Sequence, residues 1–497
     1  MSGLLVAAPL RIEELALRSG GLRAELVHTG MGPRRSHAAA QQLALRGTPV
    51  GFAVAGLCAA VAPSLRPGDV VLASRLETAS GALELPPSVL LEQELERRGL
   101  RVHRGPIRCL DHVASARERA GLASSGAIAV DMESGWLMEW CDELPRAVLR
   151  VVVEPSGRGL RSPRVAADGL RALRSMRAAA AALDAWGRVL GARAVLRAGP
   201  RSFCAGVDRA IEIVERALER RGAPVFVRKQ IVHNAHVVAD LEERGAVFVD
   251  EIADVPRGAT VVFSAHGVAP AVRAAAAERD LDVIDATCPL VAKVHAEARR
   301  FVERGDSVVL IGHEGHEEVE GTMGEAPGAI HLVERPEHVA RLDLGPGRVS
   351  YLTQTTLAVD ETEEVVSALR DRFSDVAGPP SDDICYATHN RQQALRDVAR
   401  KADLVLVVGS ETSSNSRRLV EVAEREHTRA RLIDDERQIR LEWLEGVRTV
   451  GLTAGASAPE QLVARVVDAL GELGPVTAED LVVTRETTSF RLPKEVR

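Results

Sequence analysis

Three cysteines that stand alone, far apart in the C-terminal three-fifths of the chain, constrain its fold more than any other feature. Cys204, Cys288 and Cys385 each close an apolar run, and successive members are 84 and 97 residues apart. Zinc ribbons and ferredoxin-type sites usually bring in ligands as CxxC pairs, because one tight turn directs two sulfurs at one metal. No such pair occurs here. Three single thiolates from three supersecondary units predict a cluster at the centre of three lobes, with one iron open to substrate.

A lone buried cysteine is more often a small hydrophobic residue than a ligand. Each of these three, however, precedes a predicted helical segment: 206–220, 289–304 and 391–401. The positive end of a helix dipole favours thiolate, so this setting indicates metal ligation. The remaining cysteines lack this setting, and we expect a structural role for them: Cys58, Cys109 and Cys141.

Length and charge exclude several classes of protein. A chain of 497 residues is too long for one ordinary core, so two or more domains are expected. The net charge of −7 and the lack of a Lys/Arg block argue against nucleic-acid binding. The N-terminus has no cationic segment before its short apolar run, and the apolar stretch 50–62 is too short to span a bilayer. Unpaired cysteines without a secretory signal predict a cytoplasmic protein.

A break in the pattern near residues 185–193 predicts the domain organisation. An Ala-rich helical stretch, 171–190, ends at Gly191, and a new strand opens at 194–197. Strand-like and helical runs alternate on both sides of this break, which is typical of α/β folds. We therefore expect two α/β domains, at 1–190 and 194–497.

Four strand-like runs of the second half end in polar loops that carry Gly or Ser, within 260–268, 307–316, 403–416 and 448–459. Ligands of open parallel sheets bind beyond the carboxyl ends of the strands, so these loops are predicted to share one pocket. Their polar residues, and those of one further loop, are suited to cradle a phosphate group. They are His233, His266, His316, Ser413, Ser414, Asn415 and Ser457.

Two alternative chemistries are excluded by motif spacing. There is no GxxxxGK[ST] sequence, so the phosphate site is not that of a P-loop NTPase. His313 and His316 are three residues apart with Gly315 between them, whereas the zinc-hydrolase motif HExxH places its histidines four apart on a helix. Glu318 follows closely and is a candidate proton donor, with a pKa raised by neighbouring anionic charge.

Ten ordered sequence blocks carry a resemblance across residues 194–497. They are FCAGVDRAI, VHN, FSAHGV, DATCPLV, GHEGH-E-EVEGTMG, TQTTL, DDICYAT-NRQ, VVGS-SSNS-RL, DD and GLTAGASAP. These blocks resemble the 4-hydroxy-3-methylbut-2-enyl diphosphate reductase family, the last step of the methylerythritol phosphate route to isoprenoids. The resemblance implies a trefoil of three α/β lobes around an iron–sulfur cluster.

The same resemblance implies a role for each matching residue. Cys204, Cys288 and Cys385 correspond to the ligands of one [4Fe-4S] cluster, and the His, Ser and Asn side chains above to the diphosphate pocket. Glu318 corresponds to the acid that protonates the departing hydroxyl, and Thr355 to a residue that orients it. The implied products are isopentenyl and dimethylallyl diphosphates, and the implied electron donor is a ferredoxin or flavodoxin. Two positions depart from the family: Glu317 stands where Pro is usual, and His389 replaces a small polar residue.

The first 190 residues resemble the nucleoside phosphorylase and nucleosidase family, particularly its hopanoid-associated branch. The resemblance rests on HTGMGP (28–33), VAGLCAAVAPSLRPGDVVLAS (54–74) and VDMES (130–134), and it implies that Met132 and Glu133 lie against ribose. The late Ser-Asp pair that protonates the departing base is missing, and RVVVEPSG offers only Glu154. The sequence is compatible both with an inactive phosphorylase-like domain and with an active one.

Two hypotheses for the whole protein follow. The favoured one is an iron–sulfur reductase with an appended phosphorylase-like domain. The rival is a bifunctional protein, or mainly a ribosyl-transferring enzyme of hopanoid side-chain synthesis with the trefoil as a scaffold. The cluster and pocket residues are all present in 194–497, whereas the base-protonating acid is missing from 1–190, which favours the first. A third class, a metal hydrolase, would need a His-rich site with an activated water.

Overall fold

Strands and helices alternate through the whole chain in the computed structural model, which describes residues 3–141, 144–158 and 164–497. The chain divides into two units. The N-terminal unit comprises Met1–Ala194 with two later segments, Glu436–Arg448 and Arg465–Thr477, and the C-terminal unit comprises the rest. The predicted break near residue 190 lies close to the end of the first segment, but the two later segments were not foreseen.

The N-terminal unit is built on one mixed sheet of eight strands in the order β2-β1-β3-β7-β6-β4-β5, with β8 pairing to both β3 and β4. The strands are β1 (Leu4–Ala8), β2 (Glu25–His28), β3 (Gly51–Ala60), β4 (Val70–Thr78), β5 (Gly81–Glu84), β6 (Val102–Cys109), β7 (Ala129–Asp131) and β8 (Arg146–Glu154). β3 and β8 are buried along nearly their whole length, and burial on both faces explains the continuous apolar sequence of β3.

Within its described residues up to Arg188, the same unit contains six helices. They are α1 (Arg11–Ser19), α2 (Pro33–Ala44), α3 (Val89–Arg97), α4 (Ala116–Leu122), α5 (Ser134–Leu137) and α6 (Val165–Arg188). The Ala-rich α6 buries a stripe that includes Ala172, Met176 and Leu183. The alanines of this stripe, such as Ala179 and Ala180, let the helix approach its neighbours closely, while Met176 and Leu183 add apolar area.

The C-terminal unit contains three separate sheets, which confirms the predicted three α/β lobes. The strand orders are β11-β10-β12-β13, β15-β14-β16-β17 and β19-β18-β20-β9-β21. The strands are β9 (Arg193–Gly199), β10 (Val225–Arg228), β11 (Ala246–Val249), β12 (Thr260–Phe263), β13 (Asp282–Asp285), β14 (Ser307–Ile311), β15 (Ile330–Val333), β16 (Val349–Thr353), β17 (Val376–Ala377), β18 (Leu404–Val408), β19 (Arg429–Ile433), β20 (Thr449–Ala454) and β21 (Val476–Val482).

Ten helices complete the second half of the chain. They are α7 (Ala205–Arg221), α8 (Ala235–Glu243), α9 (Pro270–Glu278), α10 (Pro289–Glu303), α11 (Glu317–Met323), α12 (Pro336–Val339), α13 (Val359–Arg372), α14 (Tyr386–Ala399), α15 (Ser414–Arg425) and α16 (Glu460–Gly471). Three of these helices begin directly after a cysteine. The predicted start of α14 at residue 391 was wrong by five residues, because its first turn, YATHN, contains few strong helix formers.

Candidate active site

The three isolated cysteines occupy equivalent positions, each as the residue that precedes the first turn of a helix. Cys204 caps α7, Cys288 caps α10 and Cys385 caps α14, and all three are free thiols that line one cavity. A Cβ atom added at Gly206 would lie 2.9 Å from Sγ of Cys288 and 3.8 Å from Sγ of Cys204. Glycine at 206 therefore leaves room between two of the sulfur atoms.

The electrostatics and spacing of the thiols fit a metal cluster better than a single ion. Burial raises the pKa of Cys288 to about 12 and that of Cys385 to about 11. Cys204 adds to both shifts, and Cys385 adds to that of Cys288. A bound metal reverses this balance, because it stabilises the thiolate. The three sulfurs do not all lie within 4.8 Å of one another, whereas one tetrahedral zinc ion would hold its thiolates about 3.8 Å apart. The donor set therefore fits an iron–sulfur cluster.

Three histidine rings meet at another wall of the same cavity. The rings of His233 and His266 stack with centroids 4.2 Å apart, and that of His316 stands edge-on to both, at 5.8 and 6.0 Å. Burial lowers the pKa of His233 to about 2 and that of His316 to about 3, and repulsion from His266 adds to both shifts. His233 and His316 are therefore neutral hydrogen-bonding groups near neutral pH.

Hydroxyl and amide groups line the cavity at the start of α15. Ser413 caps this helix by accepting from the backbone N–H of Ser416, and the hydroxyl of Ser414 accepts from that of Thr356 over 3.1 Å. Asn415 is held by the backbone N–H of Ala456, which donates to its side-chain oxygen over 2.9 Å. An anion is stabilised at such a position by the positive end of the helix dipole.

Ser457 ties the last of the four predicted loops to the histidine wall. Its hydroxyl donates to the carbonyl of His233 over 3.1 Å. The four loops that the sequence grouped together follow β12, β14, β18 and β20, and residues from each of them line the cavity. Every cysteine, histidine, serine and asparagine that the sequence predicts for the C-terminal site lies there.

A buried carboxyl group completes the cavity. Glu318 lies in the first turn of α11, where burial raises its pKa to about 6. Thr355 donates to it twice, from its backbone N–H over 2.7 Å and from its hydroxyl over 3.1 Å. We predicted that neighbouring anionic charge raises this pKa, whereas burial is the cause within the protein itself. A buried acid with a pKa near neutrality can hold a proton and release it to a leaving group.

The two residues that depart from the family pattern have different surroundings. Glu317 places its carboxylate 3.2 Å from Nδ1 of His266. His389 is exposed and lines a separate cavity next to α14, together with Tyr386 and Asn390. Only the first of these departures therefore touches the histidine wall.

His233, His266 and Glu317 bring one potential ligand atom each within 4.8 Å of the others. The two imidazole rings are nearly parallel, 20° apart, and stacked. The lone pairs of stacked rings lie in separate planes, so they cannot converge on one ion without a rearrangement. This geometry disfavours a mononuclear metal site of the hydrolase type.

Sequence reasoning missed two threonines that line the cavity. The backbone N–H of Thr388 donates to Sγ of Cys385 over 3.3 Å, and its hydroxyl lies 3.2 Å from the same sulfur. Thr356 contacts Ser414. The sequence blocks could have indicated them, since Thr388 belongs to CYAT and Thr356 to TQTTL. A threonine side chain, however, does not by itself indicate a binding site.

A second cavity, in the N-terminal unit, contains both residues predicted to contact ribose. It has a volume of about 320 Å³ and is lined by Met132 and Glu133. Glu133 accepts a hydrogen bond from the backbone N–H of Gly32 over 3.1 Å, so the motifs HTGMGP and VDMES meet there. Gly32 has a φ of +88°, a conformation that glycine adopts at no steric cost.

Both guanidinium groups near this cavity are committed to carboxylates. Arg150 is completely buried and contacts Asp131 at 2.6 Å and Glu133 at 3.3 Å. Arg119 contacts Glu154 at 3.0 Å. His112 also lines the cavity and hydrogen-bonds to the carboxylates of Asp111 and Glu118. Among the described residues that line the cavity, each potentially cationic side chain therefore has a carboxylate partner.

Glu13 is a buried carboxyl group of the N-terminal cavity that sequence reasoning missed. It accepts from the backbone N–H of Leu57 over 2.7 Å and of Leu10 over 2.7 Å. Burial raises its pKa to about 7, although Arg150 and these hydrogen bonds oppose the shift. A glutamate in an amphipathic helix is predicted to lie on the surface, so the sequence pattern gives no indication that Glu13 is buried.

No helix within the described part of the chain has the length and apolar character needed to cross a membrane.

Comparison with known protein families divides the chain at the same place. The profile of the family described as "LytB protein" matches residues 195–471, which is more than half of the chain. The profile of the "Phosphorylase superfamily" matches residues 12–185.

Individual relatives match the second half of the chain over nearly their full length. "4-hydroxy-3-methylbut-2-enyl diphosphate reductase 1" of Mycobacterium tuberculosis is 59% identical over 318 residues, which are 63% of this chain and 97% of that protein. The corresponding protein of Nocardia farcinica is 58% identical over 62% of this chain and 92% of its own. The solved structure of the E-1-hydroxy-2-methyl-but-2-enyl-4-diphosphate reductase from Plasmodium falciparum is 38% identical, with a TM-score of 0.59, and covers 61% of this chain and 96% of that one.

Proposed function

The chain belongs to the LytB protein family, and we infer from this membership that its C-terminal part is a 4-hydroxy-3-methylbut-2-enyl diphosphate reductase. The enzyme is an oxidoreductase of isoprenoid biosynthesis and contains iron and sulfur. The observation that carries this function is the meeting of three capping cysteines, three histidines and one buried acid in a single cavity.

We propose that the cofactor is one [4Fe-4S] cluster held by Cys204, Cys288 and Cys385. When bound, the cluster supplies the electrons for reductive removal of the substrate hydroxyl. Each sulfur lies at the positive end of a helix, which offsets part of the cost of burying a thiolate. Thr388 donates to Sγ of Cys385 and orients it.

The diphosphate of the substrate is proposed to bind between the histidines and the start of α15. His233, His266 and His316 supply ring nitrogens, while Ser413, Ser414, Asn415 and Ser457 supply hydroxyl and amide groups. Two of the histidines are neutral, so much of the binding rests on hydrogen bonds and on the helix dipole.

Glu318 is the proposed general acid. The substrate takes up two electrons, which come from the external donor, and Glu318 donates a proton to its hydroxyl. The allylic carbon–oxygen bond then breaks, and the hydroxyl leaves as water. A second proton then forms a carbon–hydrogen bond at either end of the allyl group, which gives the two isomeric diphosphates. Thr355 holds Glu318 through two hydrogen bonds and is proposed to orient the departing hydroxyl.

The electrons must come from outside the chain, and a ferredoxin or flavodoxin is the proposed donor. We also propose a cytoplasmic location, because free thiols need a reducing compartment. The proposed limits of the two domains are 1–190 and 194–497.

The N-terminal unit is proposed to bind a ribosyl group against Met132 and Glu133. Phosphorolysis is not favoured, because Arg119 and Arg150 are both paired with carboxylates. To test this, the purified protein would be incubated with adenosine, inosine or methylthioadenosine, with and without inorganic phosphate. We expect at most slow cleavage that does not depend on phosphate, and brisk phosphate-dependent cleavage would favour a bifunctional enzyme.

The reductase assignment is tested by anaerobic purification with iron and acid-labile sulfide analysis, followed by assay with a reduced dye and 4-hydroxy-3-methylbut-2-enyl diphosphate. We expect about four irons and four sulfides per chain, because a cubane contains four of each, and formation of both products. A colourless protein that fails to turn over after reconstitution with iron and sulfide would contradict the assignment.

A further inference from the structure

Glu317 contacts the histidine wall without belonging to the central cavity. It is the first residue of α11, between His316 and Glu318, and its Oε2 lies 3.2 Å from Nδ1 of His266. The hydroxyl of Ser264 donates to the same oxygen over 3.4 Å. The side chains of Glu317 and His266 are each 17% exposed. The contact is therefore largely shielded from solvent.

The three histidines differ in what holds the Nδ1 atom of each ring. In His316, Nδ1 accepts from the backbone N–H of Glu318 over 3.2 Å, so the proton of this neutral ring is on Nε2. In His233, Nδ1 lies 3.4 Å from the amide oxygen of Gln230. Within the part of the chain that the structure describes, His266 alone among the three has a carboxylate partner.

We propose that Glu317 is a positioning residue of the diphosphate site, an inference that rests on the reductase function proposed above. It accepts the Nδ1 proton of His266 and fixes the ring against that of His233. Nε2 of His266 is then the nitrogen left to face the diphosphate.

The charge state of Glu317 agrees with this role. Burial alone would raise its pKa, but the hydrogen bond and the charge of His266, together with Lys229 and His316, hold the pKa below its ordinary value. Glu317 is thus an ionised acceptor for the Nδ1 proton of His266.

The start of α11 offers clean substitutions for a test. Glu317→Ala removes the acceptor, Glu317→Gln keeps an oxygen that can accept from Nδ1, and Glu317→Pro suits the first position of a helix. Glu320→Ala is the matched control, because Glu320 is exposed on the same short helix. Each holoenzyme would be assayed for kcat, for the KM of the substrate and for competitive inhibition by inorganic diphosphate, with iron content measured beside them.

We expect Glu317→Ala and Glu317→Pro to raise the KM and the inhibition constant of diphosphate about tenfold, the loss expected for one charge-assisted hydrogen bond. The kcat should stay within about threefold, since the acid and the thiols are untouched. Glu317→Gln should recover most of the lost affinity, and the Glu320 variant should match the wild type.

Unchanged or tighter diphosphate binding in the Ala and Pro variants would overturn the inference, and so would a Gln variant as weak as Ala. A fall in kcat alone would also overturn it, because it would place Glu317 in the chemistry. Titration of the wild type with diphosphate by calorimetry separates the two proposals: a wild type that neither binds diphosphate nor turns over would overturn the reductase function itself.

Discussion

Thr355 engages both carboxylate oxygens of Glu318, with its backbone N–H 2.7 Å from Oε1 and its hydroxyl 3.1 Å from Oε2. The backbone N–H of Cys385 in turn donates to the carbonyl of Thr355 over 3.0 Å. One residue therefore links the buried acid to the start of the helix that carries a proposed cluster ligand. The position of the acid depends on the same local structure as the position of the sulfur.

Replacing Glu318 with Gln should preserve the contact with Thr355 and remove the acidic proton that Glu318 is proposed to donate. The amide oxygen can still accept from Thr355, so we expect normal iron content and a KM close to that of the wild type. The kcat should fall ~10²- to 10⁴-fold, the range for loss of a general acid. Steady-state assay beside Glu320→Gln as control checks this, and near-normal turnover would show that another group delivers the proton.

Replacing Thr355 with Val should shift the pH profile upward. The hydroxyl of Thr355 donates to the carboxylate and thereby holds the pKa of Glu318 down, to about 6. Without the hydroxyl this pKa rises, so the acid stays protonated to a higher pH. The alkaline limb of kcat/KM should therefore move to higher pH than in the wild type. Thr362→Val, a buried threonine that instead donates to the carbonyl of Ala358, is the control, and a limb that moves to lower pH would contradict the assignment.

The six cysteines should fall into two classes according to how their replacement changes the iron content of the protein. Serine in place of Cys204, Cys288 or Cys385 is expected to abolish cluster binding, because a cluster held by three thiolates has no spare ligand. Serine at Cys58, Cys109 or Cys141 should leave the iron content unchanged, since these cysteines are buried in the N-terminal unit. Full iron content after loss of any of the first three would refute the proposed ligand set.

Much of the C-terminal site could be predicted because its residues follow strands or precede helices. Polar loops after buried strands, as at His266 after β12, are readable from the change between apolar and polar sequence. The start of α14 could not be predicted in this way. The sulfur of Cys385 caps the helix by accepting from the backbone N–H of Thr388, and helix propensities do not include such a contact. The cause of the raised pKa of Glu318 also required the structure, since burial of a single side chain is a tertiary property.

The two late segments of the N-terminal unit could not be predicted for the same reason. Residues 436–448 and 465–477 join this unit through contacts with helices far away in sequence. Arg97 donates to the carbonyl of Ile439, and the backbone N–H of Val89 donates to Oε2 of Glu472 over 2.8 Å. Contacts over more than 300 residues of separation leave no local pattern.

Glu472 should make the stability of the N-terminal unit depend on pH. Burial raises its pKa to about 8, although the N–H groups of Val89 and Leu90 oppose the shift. An unfolded Glu has a pKa of about 4.3, so between these two values the folded state binds more protons than the unfolded one. The contribution of this group to stability is therefore greatest at low pH and is lost as the pH rises through about 8.

Glu472→Gln should remove this dependence, because the amide stays neutral and its oxygen can still accept from Val89. We expect the variant to unfold at a temperature roughly 2–4 °C above the wild type at high pH, the shift for about 1 kcal/mol in a domain of this size. At low pH the two should unfold together. All four tryptophans lie in the N-terminal unit, so tryptophan fluorescence follows its unfolding selectively. Glu96→Gln, an exposed change on α3, is the control, and a variant less stable than the wild type at high pH would show that Glu472 is held as a carboxylate.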